Sequence, residues 1–196
     1  MPRSRSLAVA AVLAWLWLSV AGCSGLTDPF GGGPATTSPS EVAAAARPEG
    51  VPPDAEPAVV ERVVDGDTVR VSPASGVAWG GDTVRVRLLN IDAPEIARDG
   101  RPGQCLADAA AARLETLLPS SSVVWLAADR EERDQYDRPL RAVWTEDGVF
   151  VNALLTEEGL AEAVLFPPND RFHASVAAAE RHAAAVGVGI HGGACD

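Results

Sequence analysis

The sequence predicts an α+β domain: a small, partly open five-stranded β-barrel carrying three α-helices. Three observations predict it. Five short β-branched runs lie between Ala58 and Thr145, each bounded by turn residues. A stretch with helical apolar spacing interrupts them after the third run. Two further helical stretches then close the chain.

Residues 58–64 (AVVERVV) have strand composition. Asp65-Gly66 follows, a hairpin signal because both turn residues tolerate positive φ. Residues 67–71 return. After a loop containing Ser, Pro and Gly, residues 82–89 alternate, with Val84, Val86 and Leu88 on one face and Arg85 and Arg87 on the other. The hexapeptide Gly-Asp-Thr-Val-Arg-Val occurs at 66–71 and again at 81–86. Two copies without a longer period are strands launched from similar turns, not a solenoid.

Residues 104–118 put Leu106, Ala110, Leu114 and Leu117 or Leu118 along one helix side, and Pro119 ends it. Residues 123–126 and 139–145 are the last two strands, with Glu146-Asp147-Gly148 as a turn. Residues 151–158 form a short helix with Gly159 at its C-terminal cap. Asn169 or Asp170 caps a last helix running through Phe172, Val176, Ala179 and Ala183. Five strands with a helix inserted after the third point to an OB-fold.

Residues 1–22 read as a secretory signal: Arg3 and Arg5, then a nearly unbroken apolar run from Leu7 to Val20. Val20-Ala21-Gly22-Cys23 resembles a bacterial lipobox, which implies an exported chain either held on the outer face of the cytoplasmic membrane by lipid on Cys23, its first mature residue, or, if the signal is an ordinary one, secreted. Residues 23–57, rich in Gly, Pro, Ser, Thr and Ala, bury too little apolar surface to fold and read as a flexible tether. The domain then covers 58–196 and is expected to be a monomer. With Cys23 assigned to lipid, Cys105 and Cys195 are a candidate disulfide. The three histidines lack zinc-ligand spacing with these cysteines.

All 16 basic residues are arginine. Removing the two in the signal leaves 14 against 27 acids, a charge near −13. Such a chain lacks the broad basic surface with which many proteins hold polyanions. Any affinity for nucleic acid has to come from a few focused arginines and a bound cation.

Three short segments concentrate charge: Asp65-Gly66-Asp67-Thr68, then Arg87 through Asp92-Ala93-Pro94-Glu95, then Asp134-Gln135-Tyr136-Asp137-Arg138. Phosphodiester hydrolysis builds negative charge in its transition state, so pre-placed donors and a cation favour it. A hard cation takes oxygen ligands, which Asp67 at a hairpin base and Asp92 at a strand end can supply. Pro94 turns the chain and can bring Glu95 beside Asp92. Arg87 and Arg138 can each grip a phosphate through two parallel N–H groups, and neither is expected in the core. The duplication leaves open whether Asp67 or Asp82 is the functional aspartate.

Taken in order, these segments and the later 151–161 stretch resemble the staphylococcal nuclease (thermonuclease) family over residues 58–190. The resemblance implies calcium (Ca2+) bound by Asp67, Asp92 and the Ala93 carbonyl. It implies Glu95 as general base or orienter of the attacking water. Arg87 and Arg138 would bind the phosphate and stabilise its charge, and Tyr136 would contact a terminal phosphate. The implied reaction is hydrolysis of DNA and RNA to 3′-phosphates and 5′-hydroxyls. Gln135 departs from the family's usual lysine, and a single aromatic, Phe166, stands where more are usual. The alternative is a non-catalytic OB-fold module binding nucleic acid or protein at the cell surface. The presence of all five acids and arginines (Asp67, Arg87, Asp92, Glu95, Arg138) favours catalysis.

Overall fold

The computed structural model describes residues 46–74 and 83–195. The signal segment, Cys23, most of the tether and Asp82 lie outside them. The order is β1 (Glu56–Asp65), β2 (Thr68–Pro73), β3 (Val84–Leu88), β4 (Ile91–Asp92), α1 (Ala107–Leu117), β5 (Val123–Ala127), β6 (Leu140–Thr145), α2 (Val151–Glu157), β7 (Glu162–Ala163) and α3 (His173–Val186). Two 3-10 turns, Gly189–His191 and Gly193–Cys195, follow.

The barrel is closed, in the order β1-β2-β3-β6-β5, and all but one pairing is antiparallel. The expected gap is bridged by a two-residue parallel pairing of β3 with β6, Arg87 opposite Leu140 and Leu88 opposite Arg141. Inward Val60, Val69, Val71, Val86, Leu88, Val124, Leu126 and Val143 fill the interior with Leu114 of α1, Leu155 of α2 and Val176 of α3. Burying such side chains stabilises by about 1.5–3 kcal/mol each. A second cluster joins Leu89, Trp125, Trp144 and Phe172 to Val51 and Ala55. The tether assigned to 23–57 therefore ran too far: Val51 and Ala55 are buried because Trp144 and its neighbours need covering.

Three local readings need correction. Gly66 does not have positive φ; a Cβ there would sit 2.7 Å from the Ala93 Cβ and 2.8 Å from the Ala110 Cβ. The glycine is needed for close approach, which draws the chain after β4 onto the hairpin. The first helix starts at Ala107, not Gln104, behind Leu106 at φ 65°. Neither Asn169 nor Asp170 caps α3, which begins after Phe172. Asn169 is buried and spans two loops instead, donating to the Glu131 carbonyl (3.1 Å) and accepting from the Glu131 N–H (2.8 Å).

Cys105 and Cys195 are bonded, with Cα atoms 5.7 Å apart across 90 residues of sequence. In the chain-entropy view a loop of that length stabilises by roughly 4–5 kcal/mol. Replacing both cysteines by serine is expected to lower the thermal midpoint by roughly ten degrees, read by circular dichroism. An unchanged midpoint would show that the tail holds without the bond.

Candidate active site

The site gathers where β1, β3 and β4 meet. Asp67 follows the β1 turn and is 6% exposed. Its Oδ1 accepts from the Thr68 hydroxyl (3.1 Å), and its Oδ2 accepts from the Ala93 N–H (2.9 Å). Burial pushes its carboxyl up to about 6, against the pull of the Arg87 guanidinium and the Ala93 N–H, with Asp65 and Asp92 adding repulsion. Asp65 beside it is buried and paired with Arg98 at 2.7 Å.

Arg87 leaves β3 toward the same point. Its Nη1 donates to the carbonyls of Leu88 (2.9 Å) and Ile91 (2.8 Å). Its Nη2 donates to Asp92 Oδ1 at 2.7 Å and lies 3.1 Å from Asp67 Oδ2. Two carboxylates from separate elements thus meet at one nitrogen. The Arg87 side chain is only 12% exposed, so the expectation that it stays clear of the interior needs correction: it ties the turn after β3 together. Asn90 makes that turn at φ 60°, in the left-handed region that asparagine tolerates, and its side chain donates to the Asn169 carbonyl at 2.9 Å. Asp92 lies on the two-residue β4, opposite Glu162 of β7, with its side chain 57% exposed.

Arg138 is held differently. Asp134 accepts from the backbone N–H of Tyr136 and of Arg138, both at 2.9 Å, folding the segment into a side-chain-closed turn with Asp137 at φ 62°. The other Asp134 oxygen takes Arg138 Nε at 2.6 Å. Burial alone would raise the Asp134 carboxyl, but these donors hold it below the usual range. Asp134 thus aims Arg138, a role the sequence reading did not assign although the residue stood in its motif. The Arg138 guanidinium also lies 5.5 Å from the centre of the Tyr136 ring, which is 71% exposed.

Arg87, Asp134, Tyr136, Arg138 and Phe166 line one cleft of about 430 Å³. Asp92 and Ala93 line a neighbouring pocket of about 290 Å³, beside Gln104 and the disulfide. Glu95 is not in either; it lines a third pocket, of about 460 Å³, with Arg98 and Gln104. Its carboxylate is exposed, and its backbone is clamped: its N–H donates to Gln104 Oε1 (2.6 Å), and its carbonyl accepts from the Gln104 N–H (2.9 Å). That clamp is why the helix starts late. The structure therefore brings Asp67, Arg87, Asp92 and Ala93 together, sets Arg138 and Tyr136 across the cleft, and leaves Glu95 outside both.

The oxygens of Asp67 and Asp92 are hard donors converging on a cationic nitrogen, which fits a hard divalent cation. Among the described residues no three His, Cys, Asp or Glu groups gather as a cluster. The pair of aspartates would leave carbonyls and water to complete a coordination shell.

Residues 85–191 match the family described as Staphylococcal nuclease homologue. The chain belongs to that family. The thermonuclease of Staphylococcus intermedius is 37% identical over 125 residues, covering 64% of this chain and 70% of that protein. The thermonuclease of Staphylococcus hyicus is 32% identical over 63% of this chain and 69% of its own length. Endonuclease YhcR of Bacillus subtilis is 34% identical over 66% of this chain but only 11% of its own length. The matched range contains Arg87, Asp92, Glu95, Tyr136 and Arg138; Asp67 precedes it and is tied to Arg87.

Proposed function

We propose that this member of the nuclease family is a calcium-dependent phosphodiesterase, hydrolysing DNA and RNA to 3′-phosphate and 5′-hydroxyl products. The meeting of Asp67 and Asp92 at one Arg87 nitrogen, beside the cleft that holds Arg138, is the observation that carries the reading. We further propose export, with anchoring of the chain to a membrane through lipid on Cys23.

Asp67, Asp92 and the Ala93 carbonyl would hold the calcium ion, which when bound offsets charge on a phosphate oxygen. Arg87 and Arg138 grip the phosphate from two sides and stabilise the charge that develops on it. Tyr136 contacts a terminal phosphate or sugar at the cleft mouth. A water oxygen bonds to phosphorus, its proton passes to the Glu95 carboxylate, and the bond from phosphorus to the 5′ oxygen breaks, that oxygen taking a proton from solvent water to leave as the 5′-hydroxyl. The Glu95 carboxylate is exposed and free of the backbone clamp, and catalytic contacts of this kind commonly tighten on substrate binding.

Cleavage of DNA and RNA by the purified protein, followed by release of acid-soluble nucleotides, tests the assignment. Chelation is expected to lower the rate at least a hundredfold, and added calcium to restore it, because the proposed ligands are all hard oxygens. Full activity in excess chelator would overturn the metal assignment. Binding without cleavage under every condition would make the chain a non-catalytic module.

A further inference from the structure

The duplicated hexapeptide pairs with itself. In the antiparallel β2–β3 register, Val69 faces Val86, Arg70 faces Arg85 and Val71 faces Val84. On the other flank Arg62 of β1 stands opposite Arg70. Three arginines therefore form a row across three adjacent strands. Like charges directly opposite one another destabilise a sheet, so the row works against the fold unless an anion answers it.

The acids nearby do not answer it fully. Glu61, which is attracted to Arg70 and Arg62, gives its Oε1 to the hydroxyls of Ser72 and Thr83. Asp137 pairs with Arg133 at 3.4 Å. Arg70 Nε is buried and has no hydrogen-bond partner. Arg70 and Arg85 line a cleft of about 430 Å³ with Arg133, Tyr136 and Arg138. Tyr136 and Arg138 also line the Arg87 cleft, so the two clefts meet at these residues. Asp137 also lines this cleft, but in a chain of formal net charge −11 its four arginines, Arg70, Arg85, Arg133 and Arg138, stand out.

We propose that the Arg70–Arg85 face is a second phosphate-binding subsite, holding the backbone of a polynucleotide beyond the phosphate that is cut. The proposal rests on the nuclease reading and deepens it: the preferred substrate is a strand long enough to cross Tyr136 and reach β2 and β3. Tyr136, exposed between the clefts, offers a ring on which a base can stack along the way. Arginine suits the task, because its planar fork matches two phosphate oxygens at once.

The test compares Arg70→Gln/Arg85→Gln with the wild type on long single-stranded DNA and on a nitrophenyl ester of a single thymidine phosphate. KM for the long strand is expected to rise roughly tenfold, with kcat and mononucleotide cleavage unchanged. The slope of log KM against log salt should shrink by about 1.4, two contacts at about 0.7 each for a single strand. Arg70→Lys/Arg85→Lys should recover most of the lost affinity. The thermal midpoint of the glutamine variant should stay level or rise, since opposed charges are removed. Equal losses on both substrates, an unchanged salt slope, or a lowered midpoint with general loss of activity would each overturn the subsite. Affinity for a labelled oligonucleotide in chelator separates the two readings. If the wild type cuts nothing with calcium present yet in chelator binds more tightly than the glutamine variant, the nuclease reading fails and the subsite stands. Equal affinities with normal cleavage overturn the subsite alone.

Discussion

Asp67→Asn is expected to lose turnover by two orders of magnitude or more, and yet to unfold at a higher temperature than the wild type in metal-free buffer at pH 7–8. The turnover loss follows from removing one of the two carboxylates that meet at Arg87, and with it half of the acidic grip proposed for calcium. The stability gain follows from burial. The Asp67 carboxyl is pushed from its ordinary 3.8 up to about 6, so the fold disfavours its ionised form. Between these pH values the folded chain binds more protons at this group than the unfolded chain does. Its contribution to stability therefore falls as pH rises from 3.8 to about 6, and the full cost persists above. On the scale of 1.36 kcal/mol for each unit, that cost is about 2–3 kcal/mol.

Asparagine keeps the shape. Its oxygen can face the Ala93 N–H and Arg87, and its amide can donate to the Thr68 hydroxyl, which also accepts. Part of the gain is lost with the weakened attraction to Arg87, leaving an expected rise of a few degrees. The difference between variant and wild type should close as pH is lowered toward 4. Calcium should stabilise the wild type and not the variant, since a ligand stabilises only a state that binds it. Asp82→Ala serves as the control for the duplicated hexapeptide and should keep turnover within a few-fold. A variant less stable than wild type at pH 8, or a wild-type level of turnover, would remove Asp67 from the centre of the site.

The segments of this site could be picked out in the sequence because each is local, while the roles given to their residues came from the family resemblance. Asp67 follows a turn, Arg87 sits on an alternating strand, and Asp92 to Glu95 ends that run, so the element order alone brings the first two to one end of the barrel. What could not be read depends on contacts distant in sequence. Asn169 looks like a helix cap until Glu131 and Asn90 are seen to claim it. Gln104 continues a helical pattern, but its amide is taken by Glu95. β4 and β7 have two residues each, too few for any periodicity. The hexapeptide repeat was visible, but only the register shows that it opposes arginine to arginine. The importance of Asp134 lay hidden for a different reason, since its contacts are local: an aspartate before a turn is common, and only its two-sided hold on Arg138 marks this one.

Arg87→Lys and Arg138→Lys are both expected to lower single-turnover cleavage by roughly two orders of magnitude, the scale of losing one transition-state donor. They should differ in stability, because the two guanidiniums are held differently. Arg87 distributes its donors over the Leu88 and Ile91 carbonyls, Asp92 and Asp67. An ammonium group is a single point with three donors and cannot span that set, so carbonyls and a buried carboxylate are left short. A buried polar group without its partner costs about 1–3 kcal/mol, so Arg87→Lys should lower the thermal midpoint by several degrees. Arg138 rests on one carboxylate, Asp134, and on the face of Tyr136. Lysine can keep the ion pair there, and the midpoint should hardly move. The charge is retained in both variants, so a large loss of turnover would trace to the planar fork and not to attraction at a distance, which the acidic chain does not provide. Single-turnover cleavage measured beside thermal unfolding separates the outcomes. Near-normal cleavage by a folded Arg138→Lys protein would reduce Arg138 to a charge partner of Asp134. Loss of cleavage by Arg87→Lys that recovers fully on cooling below its midpoint would make Arg87 a strut of the turn instead of a phosphate ligand.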